Sequence, residues 1–153
     1  MGGPIPNSIG SCTNITIFFA HSNNFYGKIP TYLANFTKLL VLDLSKNGLT
    51  GELPQYFTSF QCLEALIPGY NHLHGYIPQH ITNLTKLHML DLSNNKFSGM
   101  IPTHLERLSG FANVSNNYEL HLEIIIGIKG NDYTVSYLLP TNTIFDLSCN
   151  NLT

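Results

Sequence analysis

Apolar residues return along this chain in one fixed order. The stretch from Leu39 reads LLVLDLSKNGLTGELPQYFTSFQC, and that from Leu87 reads LHMLDLSNNKFSGMIPTHLERLSG. Both fit the pattern LxxLxLxxNxLxGxIPxxLxxLxx. Two spacings coexist in it. Leu42 and Leu44 flank Asp43 in strict alternation, the signature of a strand with one buried face. Phe57 and Phe60 are three residues apart, which is helical or 3₁₀ spacing. Each unit therefore predicts a short strand, a polar turn and a tight return segment.

The units are locked in phase. Gly3, Gly27, Gly51, Gly75 and Gly99 are 24 residues apart, as are Pro6, Pro30, Pro54, Pro78 and Pro102, and Asn23, Asn47, Asn71 and Asn95. Full coils begin at Ile15, Leu39, Leu63 and Leu87, after a half-coil from Gly3 to Asn14. Of 28 expected apolar slots, only Pro68 fails to hold Leu, Ile, Phe or Ala. A fixed period of this length predicts stacked coils. The fold expected is an α/β repeat solenoid with a parallel sheet built from residues near 18–20, 42–44, 66–68, 90–92 and 145–147. One coil cannot offset the entropy of ordering its own backbone, so several must pack together.

The fixed residues have distinct tasks. The asparagine amide is expected to bond backbone groups of adjacent coils, which would cost ~1–3 kcal/mol each if left buried and unpaired. Glycine lets the backbone bend, and proline starts the return by fixing φ. Pro68 has no N–H for a strand ladder, so a local break in the sheet is expected there.

The period fails after Gly110. The next asparagine slot holds Glu119, and the glycine and proline slots hold Glu123 and Ile126. Phase returns near Asn142, where TIFDLSCNNLT carries Asn150 in the asparagine slot. Between them, Leu120 to Ile128 alternates as a strand, Lys129-Gly130-Asn131-Asp132 is turn chemistry, and Tyr133 to Leu139 is rich in strand formers. Residues 118–139 thus read as a β-hairpin. The division expected is 1–110 repeats, 111–141 a non-repeat island, and 142–153 the start of a further repeat.

The xGxIP segment, here Gly27-Lys28-Ile29-Pro30 and its copies, makes the repeat resemble the plant class of leucine-rich repeat. That class occurs in receptor-like kinases, receptor-like proteins and polygalacturonase-inhibiting proteins. The island resembles the one that interrupts the repeats of receptor-like proteins, and the inhibitors lack it. The resemblance implies a right-handed superhelix with a concave parallel sheet. It also implies the ligand-sensing ectodomain of a cell-surface receptor-like protein in defence or development, not an enzyme and without a cofactor. A secreted inhibitor or a receptor-like kinase ectodomain is the alternative. The partners implied are a peptide or protein ligand and a co-receptor kinase ectodomain, with the parent at the outer face of the plasma membrane.

Charge and composition narrow the reading further. The net charge is −2, and charged residues make up only 10% of the chain, so no nucleic-acid or anionic-membrane surface is indicated. The start has no secretory pattern, no apolar run approaches a membrane span, and the chain stops in mid-coil, so a piece of a longer protein is expected. Uncapped ends make self-association of the isolated chain a further expectation. Cys12, Cys62 and Cys149 match no zinc or redox motif, and Cys12 and Cys62 stand two coils apart.

Outward positions of the strand segments are the family's usual ligand surface. The candidates drawn from them are Phe19, His21, Asp43, Lys46, Ile67, Tyr70, Met89 and Asp91, with Phe19, Ile67, Tyr70 and Met89 expected to be exposed. Tyr133 and Tyr137 are the island's candidates. Asp43, Asp91 and Asp146 recur within one motif and read as structural rather than catalytic. His72, His74 and His88 do not form a metal set. Five Asn-x-Ser/Thr sequons, at Asn14, Asn35, Asn83, Asn113 and Asn151, are glycosylation candidates.

Overall fold

The computed structural model describes residues 2–111, 121–128, 131–138 and 144–153, the middle two stretches as backbone only. Two parallel sheets run along the stacked coils. The concave sheet contains β2 (Ile17–Phe19), β4 (Val41–Asp43), β6 (Ala65–Ile67), β8 (Met89–Asp91) and β12 (Ile144–Asp146), hydrogen-bonded in that order. These are the expected strands, each beginning one residue earlier than the pattern indicated. Register follows the repeat, with Ile17 opposite Val41 and Val41 opposite Ala65.

The second, lateral sheet was not expected. It contains β1 (Gly2–Gly3), β3 (Asn24–Lys28), β5 (Gly48–Gly51), β7 (His72–Tyr76), β9 (Lys96–Gly99) and β13 (Asn151–Leu152), again parallel neighbours. The return segments are five-residue 3₁₀ helices at Asn7–Ser11, Thr31–Asn35, Gln55–Ser59 and Gln79–Asn83. Each follows a proline with φ between −62° and −79°, the value the pyrrolidine ring imposes. Leu33, Leu42, Leu49, Phe60, Leu66 and Phe97 fill the space between sheets and helices and are almost wholly buried.

The asparagines join the coils. Asn47 Nδ2 donates to Ala20 O at 2.8 Å, and its Oδ1 accepts from Phe25 N at 3.0 Å. Asn71 repeats both bonds with Leu44 O and Leu49 N, each at 2.9 Å. The residue before each asparagine in the coil stacks is left-handed: Ser22, Lys46, Tyr70, Asn94 and Cys149 have φ between 51° and 56°. Such a conformation costs a non-glycine residue ~1 kcal/mol or more. It persists here because the following asparagine and the flanking strand fix the chain on both sides.

At Pro68 the expected local break is present and small: β6 pairs with β4 over three residues but with β8 over only two, Ala65 with Met89 and Leu66 with Leu90. What is lost is a single donor. Leu44 N donates to Ile67 O at 3.0 Å and Leu92 N to Asp146 O at 2.8 Å, and proline cannot supply the matching bond. Pro68 O is nevertheless captured by Asn95 Nδ2 at 3.1 Å.

Beyond coil four the stack resumes across the island. Phe111 N bonds Leu108 O as the earlier coil starts do, and Ile144 N bonds His88 O. Ile144 stands opposite Met89, and Asn150 bonds Leu92 O and Phe97 N, each at 2.9 Å. Within the island, β10 (His121–Ile128) and β11 (Asn131–Leu138) pair antiparallel. Residues 112–120, 129–130 and 139–141 of the expected island, and 142–143 of the repeat expected after it, lie outside the described residues.

Candidate ligand-binding surface

Strand alternation turns every second residue of the concave sheet away from the core, and the repeat aligns those residues across coils. One row is apolar throughout: Ile17, Val41, Ala65, Met89 and Ile144. Val41 and Ala65 are wholly buried, with Ile17, Phe19, Leu40, Ile67 and Met89 packed around them. This corrects the expected exposure of Phe19, Ile67 and Met89, which are half-buried. Parallel strands stand only about 4.8 Å apart, so neighbouring side chains shield one another. Only Tyr70, 51% exposed, stands out as expected. Sequence reasoning placed Val41 and Ala65 outward but did not choose them; apolar residues at outward strand positions were the available signal.

The next row mixes apolar and acidic side chains: Phe19, Asp43, Ile67, Asp91 and Asp146. Asp43 is buried and its Oδ1 accepts from Ser45 N at 3.0 Å and Ser45 Oγ at 2.7 Å. Asp91 accepts from Ser93 N at 2.9 Å. Asp146 accepts from Ser148 N at 2.8 Å, and hydrogen bonds from the Ser148 backbone and side chain hold its carboxyl below the ordinary aspartate range. At Gly69 no side chain intervenes, and the Asp91 carboxylate fills the gap: a Cβ there would meet Oδ1 at 2.7 Å.

The left-handed residues form the rim. Lys46 Nζ lies 5.9 Å from the centre of the Tyr70 ring, within cation–π range. The Phe19 and His21 rings meet edge to face at 6.5 Å, and His21 Nδ1 is 3.3 Å from Ser22 Oγ. The concave candidates therefore share one face, composed of an apolar floor interrupted by Asp43, Asp91 and Asp146 and a cationic and aromatic rim. Tyr133 and Tyr137 stand opposite Ile126 and Leu122 in the hairpin; their side chains lie outside the described residues.

Other candidates are scattered. Asn14, Asn35, Asn83 and Asn151 are exposed. Asn14 Oδ1 accepts from Lys38 Nζ at 2.9 Å, and Asn35 Nδ2 donates to Gly10 O at 3.0 Å. Asn113 lies outside the described residues. Cys12, Cys62 and Cys149 are unpaired thiols. Among the described residues no three His, Cys, Asp or Glu side chains converge as a metal site, and no helix is long and apolar enough to cross a membrane.

A leucine-rich-repeat family profile matches residues 38–60 and 86–108. No curated protein matches significantly. Solved structures do. The ectodomain of the Arabidopsis thaliana membrane receptor kinase GASSHO1/SCHENGEN3, in complex with CASPARIAN STRIP INTEGRITY FACTOR 2, is 38% identical with a TM-score of 0.69, over 71% of this chain and 13% of that one. The Arabidopsis receptor kinase HAESA, in complex with the peptide hormone IDA and the co-receptor SERK1, is 43% identical with a TM-score of 0.66, over 69% of this chain and 18% of that one. A plant ice-binding protein is 29% identical with a TM-score of 0.67, over 74% of this chain and 36% of that one. The chain thus spans less than a fifth of these two receptor ectodomains. Repeat, sheets and likenesses agree: the chain is a leucine-rich-repeat solenoid, similar to the ectodomains of plant receptor kinases.

Proposed function

We propose that this chain is the ligand-binding stretch of a plant cell-surface receptor ectodomain, acting outside the plasma membrane. Its ligand is a peptide or protein, and the occupied receptor recruits a co-receptor kinase ectodomain. The observation that carries the reading is the half-buried apolar strip of Ile17, Phe19, Ile67 and Met89 on the concave sheet, beside the exposed Lys46–Tyr70 rim. An extended peptide can seat side chains along such a row while the rim fixes its direction. HAESA is seen with a peptide hormone and SERK1, and the same division of labour is proposed here. The fold is a scaffold for binding, and no catalytic arrangement is proposed for it.

Two finer points rest on the same reading. The island is proposed to share in holding ligand or co-receptor, through Tyr133 and Tyr137 among others. Asn14, Asn35, Asn83, Asn113 and Asn151 are proposed to carry N-linked glycan. Defence or developmental signalling is the proposed setting.

The test uses the parent ectodomain with a co-receptor ectodomain of the SERK type and a library of synthetic secreted peptides. At least one peptide is expected to induce association. Ile67→Asp with Met89→Asp is expected to abolish that association, while Gln55→Ala on the convex return leaves it intact. Association that survives the concave substitutions would overturn this reading.

A further inference from the structure

We infer that the concave site selects its peptide by one basic side chain, a lysine or an arginine, and that Asp91 is the residue that selects it. The inference rests on the peptide-binding reading above and names the chemistry of the ligand.

Asp91 differs from its counterparts in the repeat. Asp43 receives both the amide and the hydroxyl of Ser45, and Asp146 receives both from Ser148. Asp91 receives the Ser93 amide alone, on Oδ1 at 2.9 Å. Among the described residues no donor reaches its Oδ2, and the sole ion pair is His104 with Glu106. Asp43 is buried, whereas Asp91 is half-buried and open to a ligand.

Two residues of coil three shape this spot. The slot that holds Ser45, Ser93 and Ser148 in other coils holds Gly69. With no side chain there, the Asp91 carboxylate leans across the neighbouring coil: its oxygens would stand 2.7 and 2.8 Å from a Cβ at Gly69. Pro68 withholds the N–H that would serve the Asp91 carbonyl. The equivalent bonds run from Ala20 N to Asp43 O at 2.8 Å and from Leu44 N to Ile67 O at 3.0 Å. Backbone acceptors inside a sheet are nearly always served. Asp91 thus offers unserved acceptors on both its side chain and its backbone. An ammonium or guanidinium group brings several donors and the opposite charge together.

The surroundings agree. Across the concave segments 16–22, 40–46, 64–70, 88–94 and 144–149 the carboxylates are Asp43, Glu64, Asp91 and Asp146, and the one lysine or arginine is Lys46. Lys46 Nζ is engaged over the Tyr70 ring at 5.9 Å. The face therefore attracts a cationic partner and repels an acidic one. Ile67, two residues before Gly69, and Met89, two before Asp91, are half-buried on this face. They can carry the aliphatic stem of a lysine or arginine while its head meets the carboxylate. A metal ion fits less well, since among the described residues no three His, Cys, Asp or Glu side chains converge.

The experiment titrates the chain against pools of labelled, end-capped linear peptides. Each pool is randomised except at one central position, fixed as lysine, arginine, norleucine or glutamate. Fluorescence anisotropy at low salt is expected to show the two basic pools binding about tenfold more tightly than the norleucine pool, with the glutamate pool weakest. Asp91→Asn keeps an oxygen for the Ser93 amide and is expected to erase the basic preference. Gly69→Ala keeps every charge but displaces the carboxylate, and is expected to reduce the preference severalfold. Glu52→Gln, an equal loss of charge on the exposed lateral sheet, is expected to leave it unchanged. Circular dichroism confirms that each variant is folded. A basic preference that survives Asp91→Asn, or that is lost equally in Glu52→Gln, would overturn the inference. Pools that bind equally, and all lose binding on Ile67→Asp with Met89→Asp, would overturn it while leaving the concave peptide site in place. Absence of binding by every pool would count against both.

Discussion

The Tyr76 ring lies over Gly99 of the next coil: a Cβ on that glycine would stand 2.5 Å from Cδ1 of Tyr76 and 2.7 Å from Cε1. Gly99 also has a φ of +78°, a conformation that side chains strain. Gly99→Ala is expected to destabilise the chain by about 2 kcal/mol. In the background of Tyr76→Ala the cost should shrink to the backbone contribution alone, about 1 kcal/mol. Reversible urea unfolding of the four proteins measures this. An unchanged cost in the double variant would show that the ring gives way freely.

Asn71 is 5% exposed and bonds backbone groups of two coils. Asn71→Ala strands Leu49 N and Leu44 O without water. A loss of about 1–3 kcal/mol is expected, with a similar loss for Asn47→Ala. Values under about 0.3 kcal/mol by chemical denaturation would refute the bridging role.

Pro68→Leu restores the missing donor. Leu44 and Leu92 occupy the same slot one coil away on either side, both wholly buried. A gain of about 1 kcal/mol is expected, since one ladder bond outweighs the proline's restriction of the unfolded chain. Loss of stability in thermal unfolding would mean that coil three has no room for the leucine.

Ile144 follows its partner Met89 by 55 positions, 31 more than the 24-residue period. Deleting 113–143, which is 31 residues, sets Phe111 and Ile144 back in phase. That deletion is expected to keep a cooperative transition at wild-type strength. Deleting 30 or 32 instead should unseat β12 by inverting its alternation, and hydrogen exchange at Leu92 and Asn94 would report it.

Burial raises the Tyr56 phenol well above its ordinary value, with the charge of Tyr32 adding to the effect. Its hydroxyl donates to Pro30 O at 2.5 Å. A folded-state pKa above the unfolded value of about 10 means stability is fully present below that pH and declines as pH rises beyond it. The urea midpoint is expected to drop between pH 9 and 11, and Tyr56→Phe to flatten the drop. An identical slope in the variant would place its cause elsewhere.

The concave strands were legible to within one residue because Leu42, Leu44 and Asn47 each declare their place locally. The lateral sheet was not. Gly48-Leu49-Thr50-Gly51 has glycine at both ends and weak strand propensity; it is a strand because β3 and β7 flank it, residues that sequence spacing alone does not bring alongside. The same holds for the concave surface. Phe19, Ile67 and Met89 looked exposed on their own strands, and it is Val41 and Ala65, a full coil away, that cover them. At Pro68 the local rule was right about the lost donor, and the break stays local because strands on both sides hold β6 in register.

The seam between β8 and β12 also orders events in time. Other concave pairs join strands 24 residues apart, whereas this one closes a loop of 55. The added closure entropy is only about 0.7 kcal/mol, so equilibrium scarcely registers the insertion. Kinetics does: short closures let the first four coils zip quickly, and the fifth waits on a longer search. Until it docks, Leu90, Leu92 and Phe97 are bare at the growing end, and a refolding chain is most prone to stick to its neighbours in that interval.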